Sequence, residues 1–146
     1  MNNKIISFNT DWNTSDIIKE KILVVNNLYT NLLEIILEKD DNNNVILDYE
    51  KNTCNVFING KYITMDKNVI IKETMNKLNQ HLISFLDEKK NILNNQIITI
   101  LSDTIKQKYA KYLDDTEVQK NVNEFICEIF ENSREKAVQN YNNLKN

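Results

Sequence analysis

The chain has 146 residues and a net charge of −3, with hydrophobic residues at 41% and charged residues at 27%. This length and balance suit one globular domain built on one core, too short for two comfortable ones and outside the disordered range. The acidic balance, with a sequence pI of about 5.2, leaves a nonspecific hold on nucleic acid or anionic lipid unsupported, and no run nears the roughly 18 apolar residues of a membrane span.

The start, "MNNKIISFNTDW", lacks the apolar core of a signal peptide, so an intracellular protein is expected. Cys54 and Cys127 agree with a reducing compartment and are read as small hydrophobes or idle thiols rather than a disulfide. A lone Gly60, no proline, a lone Arg134, two alanines and an abundance of Asn, Lys and Ile describe AT-rich codons. Asn-rich runs such as "DDNNN" are accordingly read as loops filled by codon drift.

Residues 1–14 read as irregular, with "ISF" a short strand candidate and Trp12 the lone indole. Thr14, Ser15 and Asp16 offer capping oxygens ahead of "IIKEKI", which predicts a short helix. After "LVVNN", the spacing of Leu28, Leu32, Ile35 and Ile36 predicts a second helix ending near Lys39.

From Asn44 the period becomes two: Val45, Leu47 and Tyr49 alternate with Ile46 and Asp48. After the turn "EKNT", Asn59 and Gly60 give a strong hairpin signal, because a two-residue type I′ turn needs positive φ at both central positions. The turn sets the register: Ile58 with Lys61, Phe57 with Tyr62, Val56 with Ile63, Asn55 with Thr64, and Cys54 with Met65. One face of this three-stranded meander then carries Cys54, Val56, Ile58, Ile63 and Met65 as core. The other carries Phe57 and Tyr62 beside Asn55 and Thr64, and it stands near solvent if helices cover only the apolar side.

Asp66 is expected to cap a long helix whose stripe is Ile71, Met75, Leu78, Leu82 and Phe85, ending near "DEKKN". A further helix carries Ile97, Leu101, Ile105, Tyr109 and Tyr112. Thr116 and Gln119 read as a capping box for the last helix, with Val118, Val122, Phe125, Ile126 and Ile129 on one face. Phe130, Ala137, Tyr141 and Leu144 drift round that cylinder, so either it wraps a curved core or its tail, 135–146, frays into solvent.

No constellation of catalytic residues emerges. His81 is the lone histidine, on the flank of a core stripe, and reads as a boundary residue. Two cysteines and one histidine without short ligand spacing do not make a zinc site. The loop beginning at Asp40 has oxygens at calcium-like positions, but Val45 stands where the glycine is needed and Lys51 where the bidentate Glu belongs. A single glycine cannot build a phosphate cradle. Lys106, Lys108 and Lys111 with Tyr109 and Tyr112 read as a solvated helix face, since Lys106 and Lys108 point to nearly opposite sides.

Residues 44–88 are similar in pattern to a known module. Asn44 and Val45 open a strand, Asn59 with Lys61 and Tyr62 forms an Asn-bearing turn followed by Lys and an aromatic, and Asp66 with Lys67 opens a helix with an acidic end. This arrangement resembles the C-terminal module of uncharacterised proteins from giant DNA viruses of the mimivirus-like group, often found behind a zinc-finger-like segment. Gly60 stands where that family often has Asn, and Tyr62 where it often has Trp.

The expectation is therefore one α+β domain over 1–146, a small three-stranded antiparallel meander packed against a mainly helical body of four or five helices. The function expected is non-catalytic association with itself or with a viral or host protein, in the host cytoplasm or virus factory, without cofactor or metal. Phe57 and Tyr62 are the candidate binding residues, with local sheet packing as their other reading. The alternative function is a nucleic-acid-associated regulator of a large DNA virus, as the zinc-finger relatives imply.

Overall fold

The computed structural model describes residues 5–14, 28–48, 50–91 and 94–145. The helix expected over "IIKEKI" and Tyr49 at the end of the first strand lie outside the described residues.

The described elements begin with α1 (Leu28–Leu37) and a single 3₁₀ turn (Asp40–Asn42), followed by three strands, β1 (Val45–Leu47), β2 (Thr53–Ile58) and β3 (Lys61–Asp66). Four helices complete the order: α2 (Lys67–Lys89), α3 (Asn95–Asp114), α4 (Thr116–Asn132) and α5 (Arg134–Lys145). The fold is α+β, with an antiparallel sheet of order β1-β2-β3.

The hairpin is built as its turn residues dictate. Asn59 and Gly60 have φ of 52° and 87°, the left-handed region that a two-residue primed turn requires. The β2–β3 register pairs Phe57 with Tyr62 and Val56 with Ile63, as the turn sets it. Asp48 braces the longer β1–β2 turn, its Oδ1 accepting from the Glu50 and Lys51 amides at 3.0 and 3.3 Å.

Val45, Leu47, Cys54 and Val56 face a core shared with Leu32, Leu33 and Ile36 of α1 and Ile71, Met75 and Leu78 of α2. On the same sheet face Ile63 is 36% exposed, contrary to its expected place in the core: unlike the other edge strand, β1, which is buried throughout, β3 has only exposed and half-buried residues. Asp66 caps α2 as expected, accepting from the Asn68 and Val69 amides at 2.8 and 3.3 Å.

Three further readings are corrected. The cap of α4 is Asp115, whose Oδ1 accepts from the Glu117 and Val118 amides, while Thr116 is the first helical residue. A carboxylate also opposes the positive end of the helix dipole, which a Thr hydroxyl cannot do. The last helix is two helices, broken at Ser133 (φ −100°, ψ 5°), and the tail packs instead of fraying. Ala137 and Asn140 are buried, and Tyr141 closes on the second face of the sheet.

The third correction concerns "DDNNN". Asn42, Asn43 and Asn44 are buried, with Asn42 at 0% exposure. Helix ends leave carbonyls without intrahelical partners, and these carboxamides supply the missing donors. Asn42 Nδ2 donates to Ile36 O at 2.9 Å and to Asn13 O at 2.8 Å, while its Oδ1 accepts from the Asn13 amide at 2.8 Å. Asn43 Nδ2 donates to Leu37 O and Lys39 O, and Asn44 Nδ2 to Ile6 O. Asn140 of α5 reaches the same knot, donating to Asp40 O at 2.8 Å and Asn43 O at 3.1 Å. Polar side chains thus join the N-terminal arm, the end of α1 and α5 at one point.

Candidate docking surface

Val118, Val122 and Phe125 recur on α4 at steps of four and three, so they share one face. The sequence reading puts Val118, Val122, Phe125, Ile126 and Ile129 on one face. In the structure α4 turns Ile126, Ile129 and Phe130 inward and leaves Val118 and Val122 half-buried and Phe125 56% exposed. Together with the start of α1 and the end of α3 they enclose an open groove of about 270 Å³.

The floor of the groove is apolar. Leu28 and Tyr29 come from α1, Met75 from α2 and Tyr112 from α3, all buried. The two tyrosine hydroxyls are engaged inside the protein. Tyr29 Oη donates to Asn79 Oδ1 at 2.8 Å, and Tyr112 Oη to Asn123 Oδ1 at 2.7 Å. Burial raises both phenols, Tyr112 to about 12, so neither carries charge at neutral pH. Among the described residues, the charged groups that line the groove are Lys108 and Lys111 of α3, three positions apart on one helix side. A volume just below the roughly 300 to 1,000 Å³ of drug-sized ligand sites, open to solvent, suits side chains presented by a partner.

The pair singled out from sequence, Phe57 and Tyr62, is brought together with ring centroids 5.2 Å apart. It is packed, not presented. Phe57 is buried and Tyr62 half-buried, and Tyr141 of α5 meets Tyr62 edge-on at 4.8 Å, so a helix covers part of this second sheet face while Asn55 and Thr64 stay exposed. The condition for a solvent-facing pair is therefore not met. Tyr62 Oη is buried without a hydrogen-bond partner, and burial, then Tyr141, push the phenol up to about 12.

A second cluster lies where the N-terminal arm crosses α2. Lys77 Nζ sits 3.9 Å from the Trp12 ring centroid and 4.6 Å from that of Phe8, and donates to Phe8 O at 2.9 Å. Two cation–π contacts and a carbonyl thus hold one ammonium group. His81, four positions further along α2, has its ring 5.5 Å from that of Trp12, at the boundary of the core. Burial lowers the Lys77 ammonium to about 8, opposed by Asp11 and Glu73.

A polar groove between α2 and α4 carries Lys67, Lys72 and Lys120, but also Glu124, Glu128 and the half-buried Cys127. Cys54 and Cys127 are free thiols, both pushed up by burial, Cys54 to about 11, which favours the unreactive protonated form. Among the described residues no group of three or more His, Cys, Asp or Glu could hold a metal ion, and no helix is long and apolar enough to cross a membrane.

Sequence reasoning placed Val118, Val122 and Phe125 on one face but missed that the face opens onto a groove. The available signal was the width of the stripe, five apolar residues in twelve positions, more than one neighbouring helix covers. No family model matches the chain, and no curated protein or solved structure matches it.

Proposed function

We propose that this protein is a non-catalytic association module that docks a protein partner in the groove between α1, α3 and α4. One observation carries the reading: Phe125 is a large apolar side chain, 56% exposed, at the edge of a groove whose floor is apolar. Exposed aromatics beside a desolvated pocket have the composition of an interface anchor with a polar rim. The raised thiols and the ring-bound Lys77 support a binding role over a chemical one. The resemblance to the giant-virus module makes the partner a viral or host protein met in the host cytoplasm or virus factory.

The nucleic-acid reading finds its best footing in the groove with Lys67, Lys72 and Lys120, where Glu124 and Glu128 interrupt any cationic track. Light scattering and pull-down on the wild-type chain and on Phe125→Ser, with nuclease treatment as control, test the proposal. It expects a nuclease-resistant complex that Phe125→Ser abolishes while circular dichroism stays native. Retention on a DNA column, lost steeply with salt and indifferent to Phe125→Ser, would move the function to nucleic acid. A saturable thermal shift with magnesium and a nucleotide would contradict the non-catalytic reading.

A further inference from the structure

We infer that the outer edge of β3, with the cleft alongside it, takes an extended basic segment of a partner protein, added to the sheet as a fourth strand. This surface is separate from the groove between α1, α3 and α4, and the inference does not rest on that groove being used.

Thr53 and Phe57 turn their backbone groups toward β1, since Asp48 N donates to Thr53 O and Phe57 N to Asn44 O. Hydrogen-bonding direction alternates along a strand, so Cys54, Val56 and Ile58 point theirs at β3, where the register sets Met65, Ile63 and Lys61 against them. Tyr62 and Thr64 therefore aim their N–H and C=O groups away from the sheet, and no backbone bond among the described residues takes them. The opposite edge is closed. β1 is buried throughout, and Arg134 donates to Leu47 O. An edge with its backbone groups turned outward is a template for strand addition.

The cleft alongside β3 sets the chemistry of that strand. It holds about 370 Å³ between the sheet, α2 and the N-terminal arm, and its apolar lining includes Met65 and Val69, the latter 49% exposed. Among the described residues, the charged groups that line it are Asp11, Glu73 and Lys77. The Lys77 ammonium is already held by Phe8 O and by the Phe8 and Trp12 rings, and neither carboxylate makes an ion pair among the described residues. Two carboxylates against one committed cation leave the cleft negative, in a chain that is itself at −3. A lysine or arginine of the added strand lays its aliphatic stem over Met65 and Val69 and brings its charge to Asp11 and Glu73. Alternate positions point to the other sheet face, where a β-branched side chain packs beside Tyr62 and Thr64.

The stretches outside the described residues join the chain away from β3: at the arm, the start of α1, the β1–β2 turn and the α2–α3 junction. The arm is tied at both its ends to the 3₁₀ turn before β1, Ile6 N donating to Asp41 O and Asn13 N to Asn42 Oδ1.

Fluorescein-labelled peptides of about eight residues, enough to span the six of β3, test this by anisotropy on the full chain. One alternates valine with lysine and one alternates valine with glutamate. The lysine peptide is expected to bind saturably and the glutamate peptide about tenfold more weakly or worse. Thr64→Pro deletes an outward N–H at an edge position that tolerates proline, and should weaken binding about tenfold or more. Asp11→Lys with Glu73→Lys should reverse the preference toward the glutamate peptide, while Phe125→Ser, in the other groove, should leave it unchanged. Circular dichroism checks each variant. Should Thr64→Pro not fold, two N-methylated lysine peptides, one methylated at its valines and one at its lysines, replace it on the wild-type chain, and at least one must lose binding.

Equal binding of the lysine and glutamate peptides overturns the basic partner. Binding indifferent to Thr64→Pro, or to both N-methylated forms, overturns strand addition. Binding abolished by Phe125→Ser moves the peptide to the other groove and overturns the site. If no peptide binds, the inference fails, and a dimer dissolved by Thr64→Pro would then give the edge to a second copy of the chain.

Discussion

Asn42, Asn43 and Asn44, which by hydropathy belong in water, are buried, whereas Ile97 and Ile100 on α3 are 48% and 65% exposed. The two regions differ in what surrounds them. The carboxamides meet carbonyls at the end of α1, in the N-terminal arm and in the turn after α1, so each is buried with hydrogen-bond partners. The isoleucines sit on a helix that turns only Ile105 and Tyr112 fully inward, so nothing withdraws them from water. Burial here follows from available partners, and hydropathy is only one source of them. Polar residues fasten the molecule together, and part of its apolar surface is left exposed.

Breaking the polar knot should have the largest effect. Asn42→Ala removes two donated bonds and one accepted bond at a site with no access to water. With these three bonds gone from a buried site, a loss of about 3 kcal/mol is expected, or about 10 °C in Tm, read by thermal unfolding. Asn42→Asp should fare no better, because a carboxylate cannot donate to those carbonyls.

Next in size is the hairpin turn. A Cβ at Gly60 meets nothing within 4 Å, so the cost of Gly60→Val is the strain of a β-branched residue at φ +87° alone, about 1 to 3 kcal/mol in urea denaturation. Gly60→Asn, which tolerates positive φ, should recover most of it. Equal losses for the two variants would mean that something other than backbone conformation sets the cost.

Lys77 offers a smaller effect with a defined sign. Its folded value, about 8, lies below the ordinary 10.5, so the folded chain holds this proton less tightly than the unfolded chain, and stability from this group rises as pH climbs from about 8 to 10.5. Tyr62 and Tyr112 act in the opposite sense: raised from 10 to about 12, they contribute stability that is present below pH 10 and lost above it. The unfolding midpoint should therefore climb between about pH 8 and 9 and fall beyond, where the raised Cys54 and Cys127 thiols begin to act in the same sense as the tyrosines. Lys77→Met should remove the climb and keep the fall; an unchanged climb would assign it to another group.

The smallest effect belongs to the exposed isoleucines. Ile100→Lys should change stability by less than about 0.5 kcal/mol, measured by the urea midpoint.

What the sequence reveals and what it hides divide by distance along the chain. The Asn59–Gly60 turn, the register, the Asp66 cap and the stripes of α1 and α2 are legible because each depends on residues a few positions apart. Asn42 reads as filler because its partner Asn13 lies 29 positions away, and Asn140 because the carbonyl of Asn43 lies 97 away. The break at Ser133 is equally hidden: no Gly or Pro marks it, and the bonds that hold the chain beyond it, Arg134 to Leu47 O and Lys136 to Glu38 O, are made across the fold. The docking groove falls between these cases. Periodicity shows that Val118, Val122 and Phe125 share a face, but only the placement of α1 and α3 decides that the face is left open and that Lys108 and Lys111 line it.

The division of labour between knot and groove is tested most directly by one urea-denaturation experiment on the wild-type chain, Asn42→Ala and Phe125→Ser side by side. The account predicts that Asn42→Ala lowers stability by about 3 kcal/mol while Phe125→Ser, mostly exposed, stays within about 0.5 kcal/mol of wild type. A Phe125→Ser chain that loses as much as Asn42→Ala would contradict it, because Phe125 would then belong to the fold and not to a surface held open for a partner.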